Sequence, residues 1–415
     1  MSATKPFVIS KNLVMMAYKR VKANKGAAGV DQQSLEDFDE NLEDNLYRIW
    51  NRMSSGSYFP PAVLAVPIEK KSGGKRILAV PTVSDRVAQM VVKLTFEPCV
   101  EPHFLSDSYA YRPNKSALDA VGITRQRCWK QDWVIEFDIK GMFDNIDHDL
   151  LMKAVRKHTD NKWVILYIER WLKAPLEMPD GTRVARDKGI PQGGVISPVL
   201  CNLFLHYVFD VWLSRNFPHS LWCRFADDGV VHCKTEAEAQ HILGLLGQRF
   251  KDCKLELHPD KTRIIYCKDS NRQKQYSHTC FTFLGYDFRR RSAKQKNGKL
   301  FMSFSPAASK SALKSMRAKI RASKIHQQSS KTLEDIAREW NPILRGWINY
   351  YGHYTPSALR RLRDYFDERL YAWSKRKYKK LKGRKIRASQ FIQKIKEQNI
   401  TLFVHWKQQE NAVVA

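Results

Sequence analysis

The sequence lacks three features that mark zinc-ribbon, secreted and membrane-spanning proteins. Its eight cysteines are scattered and include no C-x-x-C pair, which argues against a zinc ribbon and against a disulfide scaffold. No apolar run approaches the roughly 20 residues that span a bilayer. The N-terminus has neither the apolar core nor the cleavage site of a signal peptide. These absences favour a reduced, cytoplasmic setting with no membrane partner.

Acidic residues are also scarce, most of all toward the C-terminus. The 415 residues contain 71 Lys and Arg against 42 Asp and Glu, a net charge of +29. Residues 286–415 contain 31 of these cations and 9 of the acids, whereas residues 1–285 are nearly balanced. Such charge can simply keep a surface hydrated. However, the cations alternate with aromatic residues, as they do on nucleic-acid-binding surfaces. We therefore expect a catalytic body followed by a basic binding region.

Hydrophobic spacing predicts a body built from both helices and strands. Apolar residues recur at helical spacing in four stretches, 35–53, 85–100, 148–173 and 236–250. Strand patterns occur at 62–80 (a hairpin with a basic tip), 133–137, 221–233 (a second hairpin) and 281–288. From Ser305 to Lys380 the pattern predicts about three helices. The fold class expected from this order is α+β.

Three aspartates occupy positions where acids are costly. Asp138 follows the apolar strand 133–137, and Asp227 with Asp228 forms the tip of an apolar hairpin. Carboxylates that converge repel one another unless a cation lies between them. Oxygen ligands of this kind suit Mg²⁺, and two such ions catalyse nucleotidyl transfer. The Asp-Asp-Gly run also suits a type I′ turn, so the hairpin alone leaves a purely structural alternative open.

Seven ordered sequence blocks resemble those of bacterial group II intron-encoded reverse transcriptases, the intron maturases. The blocks are "SYAYRPNKSALDAV" (108–121), "FDIKGMFDNIDH" (137–148), "KGIPQGGVISPVLCNLFL" (188–205), "RFADDGVV" (224–231), "LELHPDKTRI" (255–264), "FTFLGYDF" (281–288) and "WNPILRGWINYYG" (340–352). The last is similar to the maturase signature of the thumb region. The resemblance implies a right-hand polymerase with fingers, palm and a helical thumb, which uses two Mg²⁺ ions or Mn²⁺ as a substitute.

The resemblance also implies roles for individual residues. Asp138, Asp227 and Asp228 match the catalytic, metal-binding aspartates, and Ile139 matches a residue whose carbonyl contributes to the metal site. Five residues match positions that contact the dNTP: Lys75, Arg76, Phe143, Gln192 and Lys261. Among these, Phe143 matches the aromatic gate against a ribose 2′-OH, and Lys261 matches a lysine suggested to protonate pyrophosphate. Each of these residues also has a purely structural alternative: Phe143 could be a core aromatic residue, and Lys75 and Arg76 could belong to an exposed turn.

Two departures from the family pattern stand out. Phe225 replaces the usual tyrosine before the paired aspartates, which removes a hydroxyl contact near the primer end. The sequence also lacks the C-terminal endonuclease motif of many relatives. We therefore expect retrohoming, if it occurs, to use a primer made at a nick or a replication fork by other enzymes.

The basic C-terminal region predicts nucleic-acid contacts. "YAWSKRKYKKLKGRKIR" (371–387) contains nine Lys and Arg in seventeen residues, which favours binding to phosphate without reading sequence. The aromatic residues of 340–352 are candidates for stacking on bases or for core packing between helices. The residues expected to bind nucleic acid are Arg112, Arg345, Trp347, Tyr350, Tyr351, Lys375, Arg376, Lys377, Lys379 and Lys380.

The expected domains are an N-terminal helical extension (1–55), fingers and palm (56–290), a thumb or maturase domain (291–380) and a basic C-terminal segment (381–415). The expected function is RNA-directed DNA synthesis combined with splicing assistance. The expected partners are group II intron RNA, an RNA template with a DNA primer, target DNA and dNTPs. A homodimer stays open, as does nucleoid association in a bacterial cytoplasm. Two alternatives remain: a domesticated relative in DNA repair or phage defence, and a non-catalytic RNA-binding splicing cofactor.

Overall fold

The structure is a computed structural model that describes residues 5–69, 74–294 and 297–410. The helices are α1 (Lys11–Asn24), α2 (Leu35–Glu40), α3 (Leu42–Ser55), α4 (Val83–Val100), α5 (Ala117–Lys130), α6 (Met142–Asn145), α7 (His148–His158), α8 (Lys162–Lys173), α9 (Ser197–Leu205), α10 (Val211–Asn216), α11 (Glu236–Asp252), α12 (Lys310–Ala322), α13 (Leu333–Tyr351), α14 (Arg360–Lys377), α15 (Lys385–Gln398) and α16 (Val404–Glu410). The strands are β1 (Val63–Glu69), β2 (Lys75–Val80), β3 (Trp133–Phe137), β4 (Leu176–Glu177), β5 (Arg183–Val184), β6 (Leu221–Phe225), β7 (Asp228–Cys233), β8 (Arg263–Tyr266), β9 (Cys280–Phe283), β10 (Tyr286–Lys294) and β11 (Leu300–Ala308). The expected mixture of helices and strands is confirmed.

The chain forms two compact units. The first comprises the described residues up to Ser116, Ile135–Val231 and Glu236–Arg263. The second comprises Ala117–Val134, His232–Thr235 and the described residues from Ile264 onward. None of the helices in the described part of the chain is long and apolar enough to cross a bilayer.

Two sheets organise the catalytic region suggested by the sequence. In one, the strand order is β2-β1-β4-β5, with β1 antiparallel to β2 and parallel to β4. In the other, the order is β6-β7-β3-β8. Both predicted hairpins are confirmed, although the basic tip of the first one falls largely on residues 70–73, outside the described residues. The sheet order places β7, which starts at Asp228, beside the strand that Asp138 follows.

The second unit contains a hairpin that the sequence pattern did not indicate. "FTFLGYDF" is not one strand, because the chain turns at Leu284 and Gly285, both with positive φ, between β9 and β10. β10 then pairs with β11 from Tyr286↔Ala308 to Lys294↔Leu300. The rings of Phe281 and Phe288 stack across β9 and β10, with centroids 4.6 Å apart.

A helical core follows, and it confirms the predicted helices. α12, α13 and α14 pack around buried aromatic residues that include Trp340, Phe366 and Trp373. Capping explains where one of these helices starts: Thr332 and Asp335 form a reciprocal capping box at the beginning of α13. All eight cysteines are free, and six of them are buried.

Candidate active site

Asp138 follows β3 at a point where the backbone is held on both sides. The ring of Phe137, 2% exposed, contacts the rings of Phe209 and Phe250. The carbonyl of Asp138 accepts a hydrogen bond from the backbone N–H of His258 at 2.8 Å. These contacts hold the backbone from which the Asp138 carboxylate extends.

Asp227 and Asp228 lie at the tip of the β6–β7 hairpin. Ala226, the first residue of the turn, has φ +56°, whereas Asp227 does not have a positive φ. That pattern matches a type II′ turn, which usually has glycine in the first position, and not the type I′ turn considered from the sequence. A non-glycine residue in this conformation stores strain, as is common at functional sites.

Gly229 allows the hairpin to approach β3. A Cβ atom at this position would lie 2.1 Å from Cζ of Phe137, far inside van der Waals contact. Any other residue would therefore push β7 away from β3. The glycine of the Asp-Asp-Gly run thus brings Asp227 and Asp228 close to Asp138, and it is needed for close strand packing rather than for a positive φ.

Arg224 holds the turn from beneath. The arginine is fully buried, and its guanidinium donates to both carboxylate oxygens of Asp210, at 2.7 and 2.6 Å. The same group donates to Ser108 Oγ at 2.8 Å, to Asn202 Oδ1 at 3.2 Å and to the carbonyl of Ala226 at 3.1 Å. The last bond fixes the strained residue of the turn. Sequence reasoning missed this network because an arginine inside an apolar strand gives no sign that it is buried.

The separated aspartates face one cavity of about 650 Å³, which Asp138 and Asp227 both line. Other candidate residues that line it are Lys75, Arg76, Phe143, Gln192 and Lys261. Tyr111, which the sequence pattern had not singled out, lines it too.

The aspartates strongly influence one another's charge. Asp228 is exposed at the start of β7, yet desolvation by the surrounding protein, followed by the charges of Asp227 and Asp138, raises its pKa to about 7, while Lys261 opposes the shift. Burial and Asp138 also raise the pKa of Asp227, against the charges of Arg76 and Lys261. Loss of contact with water is the largest cause of both raised pKa values, and the neighbouring carboxylates add to it, so a cation placed among these groups would be bound favourably.

Lys261 supplies part of the positive charge that the aspartates would bind. Its Nζ lies 3.0 Å from Oδ2 of Asp138. Within the described ranges, no group of three or more His, Cys, Asp or Glu side chains has the arrangement of a metal site. The donor set nevertheless fits Mg²⁺, because carboxylate and carbonyl oxygens are its usual protein ligands. Lys261 therefore marks a cation position beside Asp138.

A chain of hydrogen bonds connects the basic hairpin to the loop before α9. Arg76 Nε donates to Oε1 of Gln192, and Nε2 of Gln192 donates to Oδ1 of Asp144 at 3.2 Å. The carbonyl of Gln192 also accepts from the N–H of Ala79 at 2.8 Å. Gly193, with φ +128°, permits this approach, because a Cβ there would lie 2.5 Å from the Ala79 carbonyl oxygen. Gly193 therefore allows the loop before α9 to approach the backbone of β2 closely.

Phe143 lies at the edge of the same cavity and is half-buried. Its carbonyl accepts from the N–H of Ile190 at 2.7 Å, and Gly189, with φ +77°, passes so close that a Cβ would lie 2.8 Å from that carbonyl oxygen. The ring therefore belongs to a backbone segment with a fixed position and is not part of the deep core.

A buried polar network supports the loop that carries Gln192. Oε1 of Gln89 accepts from the N–H groups of Val195 and Ile196, at 2.7 and 3.3 Å. Nε2 of Gln89 donates to Asp85 at 2.9 Å, and Asp85, which is fully buried, also accepts from Trp171 Nε1 at 2.7 Å. Sequence reasoning missed these residues, since buried polar side chains interrupt an otherwise apolar helix without revealing their partners.

Arg112 does not act as expected. Its side chain is 8% exposed and pairs with Glu101 at 2.8 Å. The guanidinium also donates to the carbonyls of Leu105 at 2.6 Å and Ser108 at 2.8 Å. The prediction that Arg112 binds nucleic acid was wrong, because its donors are satisfied inside the protein.

The other candidate nucleic-acid contacts lie in the second unit, and they divide into exposed and packed groups. Arg345 is exposed, while Trp347 is half-buried against the helical core. The hydroxyl of Tyr350 donates to the carbonyl of Leu284 at 2.9 Å, and the adjacent Tyr351 contacts the β9–β10 turn at Gly285. The two tyrosines thus serve core packing, the alternative that the sequence had left open.

The cations of residues 375–380 also divide into a packed residue and exposed ones. Nζ of Lys377 donates to the carbonyls of Ser329 at 3.2 Å and Lys331 at 2.7 Å. This lysine therefore stabilises the helical core. The exposed or half-exposed cations around it are Lys375, Arg376, Lys379 and Lys380.

Comparison with known families supports this arrangement. Residues 68–288 match the family model described as "Reverse transcriptase (RNA-dependent DNA polymerase)". Residues 313–392 match a second model, "Group II intron, maturase-specific domain". The first match contains every residue that lines the cavity.

Two curated proteins illustrate the similarity. "Protein YkfC" of Escherichia coli is 30% identical over 311 residues, which cover 64% of this chain and 77% of that protein. "Group II intron-encoded protein LtrA" of Lactococcus lactis subsp. cremoris is 30% identical over 203 residues, 48% of this chain. The aligned part spans about a third of LtrA (33%).

Proposed function

The chain belongs to the reverse transcriptases, which are RNA-dependent DNA polymerases, and contains the maturase-specific domain of group II introns; on this premise we propose how its residues carry out both activities. The first proposal is RNA-templated DNA synthesis at the cavity that Asp138 and Asp227 share. The observation that carries it is this shared cavity, which brings together two aspartates 89 positions apart. Asp228 is not among the residues that line it, but the charge of Asp138 reaches Asp228 and contributes to its raised pKa.

The carboxylates of Asp138, Asp227 and Asp228, with the carbonyl of Ile139, would hold two Mg²⁺ ions, for which Mn²⁺ can substitute. Bound there, the ions supply Lewis-acid activation of a primer 3′-hydroxyl and stabilise the leaving pyrophosphate. The raised pKa values of Asp227 and Asp228 support this assignment, because bound cations would lower both pKa values and favour the ionised carboxylates.

The remaining cavity residues bind and orient the dNTP. Lys75 and Arg76 attract the triphosphate, and Gln192, already in contact with Arg76, lies beside the sugar. Phe143 excludes a ribose 2′-hydroxyl. Lys261, which pairs with Asp138 while no metal ion is bound, donates a proton to the pyrophosphate as it leaves.

The second proposal is that the helical core and its basic residues bind the intron RNA and stabilise its splicing-competent structure. The match of residues 313–392 to the maturase-specific domain favours it, as does the exposure of Arg345 and of the cations near residue 375. In this proposal residues 56–290 are fingers and palm, 291–380 the thumb, and 381–415 a basic segment that binds RNA or target DNA.

A primer-extension assay tests the first proposal. Poly(rA)/oligo(dT) with Mg²⁺ is extended with dTTP, and the rate with UTP is measured in parallel. We expect wild-type protein to prefer dTTP and the Asp227→Ala, Asp228→Ala double variant to lose extension by at least a thousandfold. As a control, the exposed acids Asp149 and Asp180 are replaced by alanine together, which should leave the rate unchanged. Undiminished extension by the aspartate variant would eliminate the assignment.

Splicing separates the two activities. The double aspartate variant should still support splicing of a group II intron RNA, because its helical core is unaltered. If both activities disappear together while the fold is retained, RNA binding is not independent of the cavity. A wild-type protein that splices but never extends a primer would instead favour the non-catalytic cofactor.

A further inference from the structure

The segment before Tyr111 is anchored at successive residues. The N–H of Tyr109 donates to the carbonyl of Arg224 at 2.9 Å. The carbonyl of Ala110 accepts from Nδ2 of Asn202 at 2.7 Å, and both groups are buried. With Arg112 fixed on the other side, Tyr111 lies between two immobilised neighbours.

Tyr111 itself is held in a conformation that tyrosine rarely adopts. Its φ is +57°, in the left-handed region that favours glycine and asparagine. A bulky aromatic residue at such a φ is a strained outlier, and strain of this kind persists only where the surroundings over-determine it. The bonds at Tyr109 and Ala110 provide that constraint. A tyrosine retained here despite the strain indicates that the side chain has a use.

The ring of Tyr111 does not belong to a core. It is 53% exposed and lines the cavity with Asp138, Asp227 and Phe143. Burial and the charge of Asp227 raise the pKa of its phenol, against the charge of Arg76, so the side chain is neutral at physiological pH. Tyr111 thus presents a neutral, flat and accessible ring to a cavity whose other lining residues include cations, carboxylates and aliphatic side chains.

The cavity's other residues already account for the charged parts of a nucleotide. Lys75 and Arg76 provide cations for phosphates, the aspartates provide oxygens for metal ions, and Phe143 lies at the sugar position in the proposed function. None of the residues given a role in the proposed function contacts the nucleobase, which has two apolar faces. Aromatic side chains stack on such faces without selecting a particular base.

We propose that Tyr111 is a nucleobase-stacking residue, which packs its ring against a base of the pair that forms at the active site. This inference rests on the proposed polymerase function and extends it. The base is that of the incoming dNTP or the templating base, and these two sources share the same chemistry. The strained backbone fixes the ring before the substrate arrives, so little side-chain freedom is lost on binding.

The experiment compares Tyr111→Gly, Tyr111→Asn and Tyr111→Phe in single-nucleotide incorporation. Glycine and asparagine tolerate the backbone conformation, so both variants should melt no lower than wild type. Loss of the ring should nevertheless raise KM for the dNTP, or weaken template-dependent binding, about tenfold, the low end for base–aromatic stacking. Tyr111→Phe, which keeps the ring, should stay within about twofold of wild type, consistent with the same stacking contribution.

The matched control is Tyr47→Gly on α3, because Tyr47 is 52% exposed and lies on a helix outside the cavity. It should lose thermal stability and retain the wild-type KM. That is the opposite of the result expected at Tyr111.

A template with an abasic site at the templating position shows which base stacks on Tyr111. If the ring contacts the templating base, wild type and Tyr111→Gly become equal on the abasic template. If it contacts the incoming base, their tenfold difference persists. A Tyr111→Gly enzyme with wild-type KM on both templates would overturn the inference.

A binding measurement keeps the test separate from catalysis. Fluorescence of 2-aminopurine at the templating position, or in the bound dNTP analogue, should be quenched by wild type and less by Tyr111→Gly. A wild-type protein that fails to extend primers refutes the proposed function. Equal quenching by the two proteins at both positions refutes stacking alone.

Discussion

Nζ of Lys261 lies 3.0 Å from Oδ2 of Asp138, in the position where a metal ion bound by the three aspartates would attract the same oxygen. The lysine also lowers the pKa values of Asp227 and Asp228, although it does not cancel the effect of burial. In the proposed function, the Lys261 ammonium and a Mg²⁺ ion would therefore compete for the Asp138 carboxylate. In the substrate-bound state, release of the lysine from Asp138 would free it to meet the pyrophosphate.

Replacing Lys261 should separate these two effects. In Lys261→Ala, Mg²⁺ should activate primer extension at a concentration about two- to fivefold lower, because a competing cation near the surface contributes up to about 1 kcal/mol. At saturating Mg²⁺, kcat should fall tenfold or more if the lysine is the proton donor, since general acid catalysis contributes roughly a hundredfold or more.

Lys188→Ala is the matched control for that experiment. Lys188 lines the same cavity, but its Nζ donates to Oδ1 of Asn145 at 3.1 Å and not to an aspartate. Its removal should leave the Mg²⁺ midpoint unchanged. A Lys261→Ala enzyme with an unaltered midpoint and unaltered kcat would show that the ion pair with Asp138 is incidental.

The buried pair of Arg224 and Asp210 should couple strongly. Arg224→Ala leaves a carboxylate buried and unpaired, so we expect a loss of about 3–5 kcal/mol in the free energy of unfolding. Asp210→Asn should cost less, because the amide oxygen can still accept from the guanidinium. In urea denaturation, the double variant should lose less than the sum of the two single losses. Additive losses would mean that the two residues act independently.

Arg224→Lys tests whether the arginine also positions the turn. The lysine retains the charge but cannot contact Asp210, Ser108 and Ala226 at once. We expect kcat to fall at least tenfold while KM for the dNTP changes little, in a protein that remains folded at the assay temperature. A matching loss of stability with normal kcat would restrict Arg224 to a structural role.

The sequence allowed the catalytic aspartates to be predicted better than the residues that hold and surround them. Asp138 and Asp227 stand out because acids beside apolar strands are rare, and their motifs carry the resemblance. Arg224 and Tyr111 do not stand out. Buried position and backbone φ are properties of the folded chain, and no spacing rule reports them.

The sequence also does not reveal which charged residues are used inside the protein. Arg112 and Lys377 both occur in motifs or runs that suggest phosphate contacts, yet carbonyl groups of the protein accept their hydrogen bonds. The β10–β11 hairpin was missed because its outer positions are polar and basic, so periodicity alone did not reveal the strands. In each case the deciding partner is distant along the chain or is a backbone atom.

His206 should make the protein sensitive to acid. Burial, and then the charges of Arg224, His158 and His103, lowers the pKa of His206 to about 4, from about 6.5 in an unfolded chain. Between these values the unfolded state binds the proton and the folded state does not, so stability falls as pH decreases from about 6.5 to 4. The contribution at neutral pH is roughly 2–3 kcal/mol.

Thermal or urea unfolding of His206→Gln between pH 4 and 7.5 measures this contribution. The variant should show a shallower decline than wild type below pH 6.5. Because His158 and His232 also have lowered pKa values, some decline should remain. Replacing the exposed His219 by Gln should leave the wild-type slope intact. Parallel curves for wild type and His206→Gln would show that His206 does not govern acid stability.

The cations near the end of α14 should determine how nucleic-acid binding depends on salt. Each phosphate contact that is neutralised releases a counterion, which contributes about 0.7–0.9 to the slope of log K against log salt. A variant with glutamine at Lys375, Arg376, Lys379 and Lys380 should therefore bind RNA with a slope shallower by about 3, the sum of four such contributions. The measurement is a fluorescence-anisotropy titration at several KCl concentrations.

Lys377 is the control inside the same run of charge. Its ammonium donates to the carbonyls of Ser329 and Lys331 and lies 5.4 Å from the centroid of the Trp373 ring. Lys377→Gln should thus lower the melting temperature by several degrees, because two carbonyl groups lose a charged donor. Its salt slope should remain close to that of wild type. If Lys377→Gln flattened the slope as much as a substitution at Lys379, the run would act through total charge, and the division between structural and binding cations would be wrong.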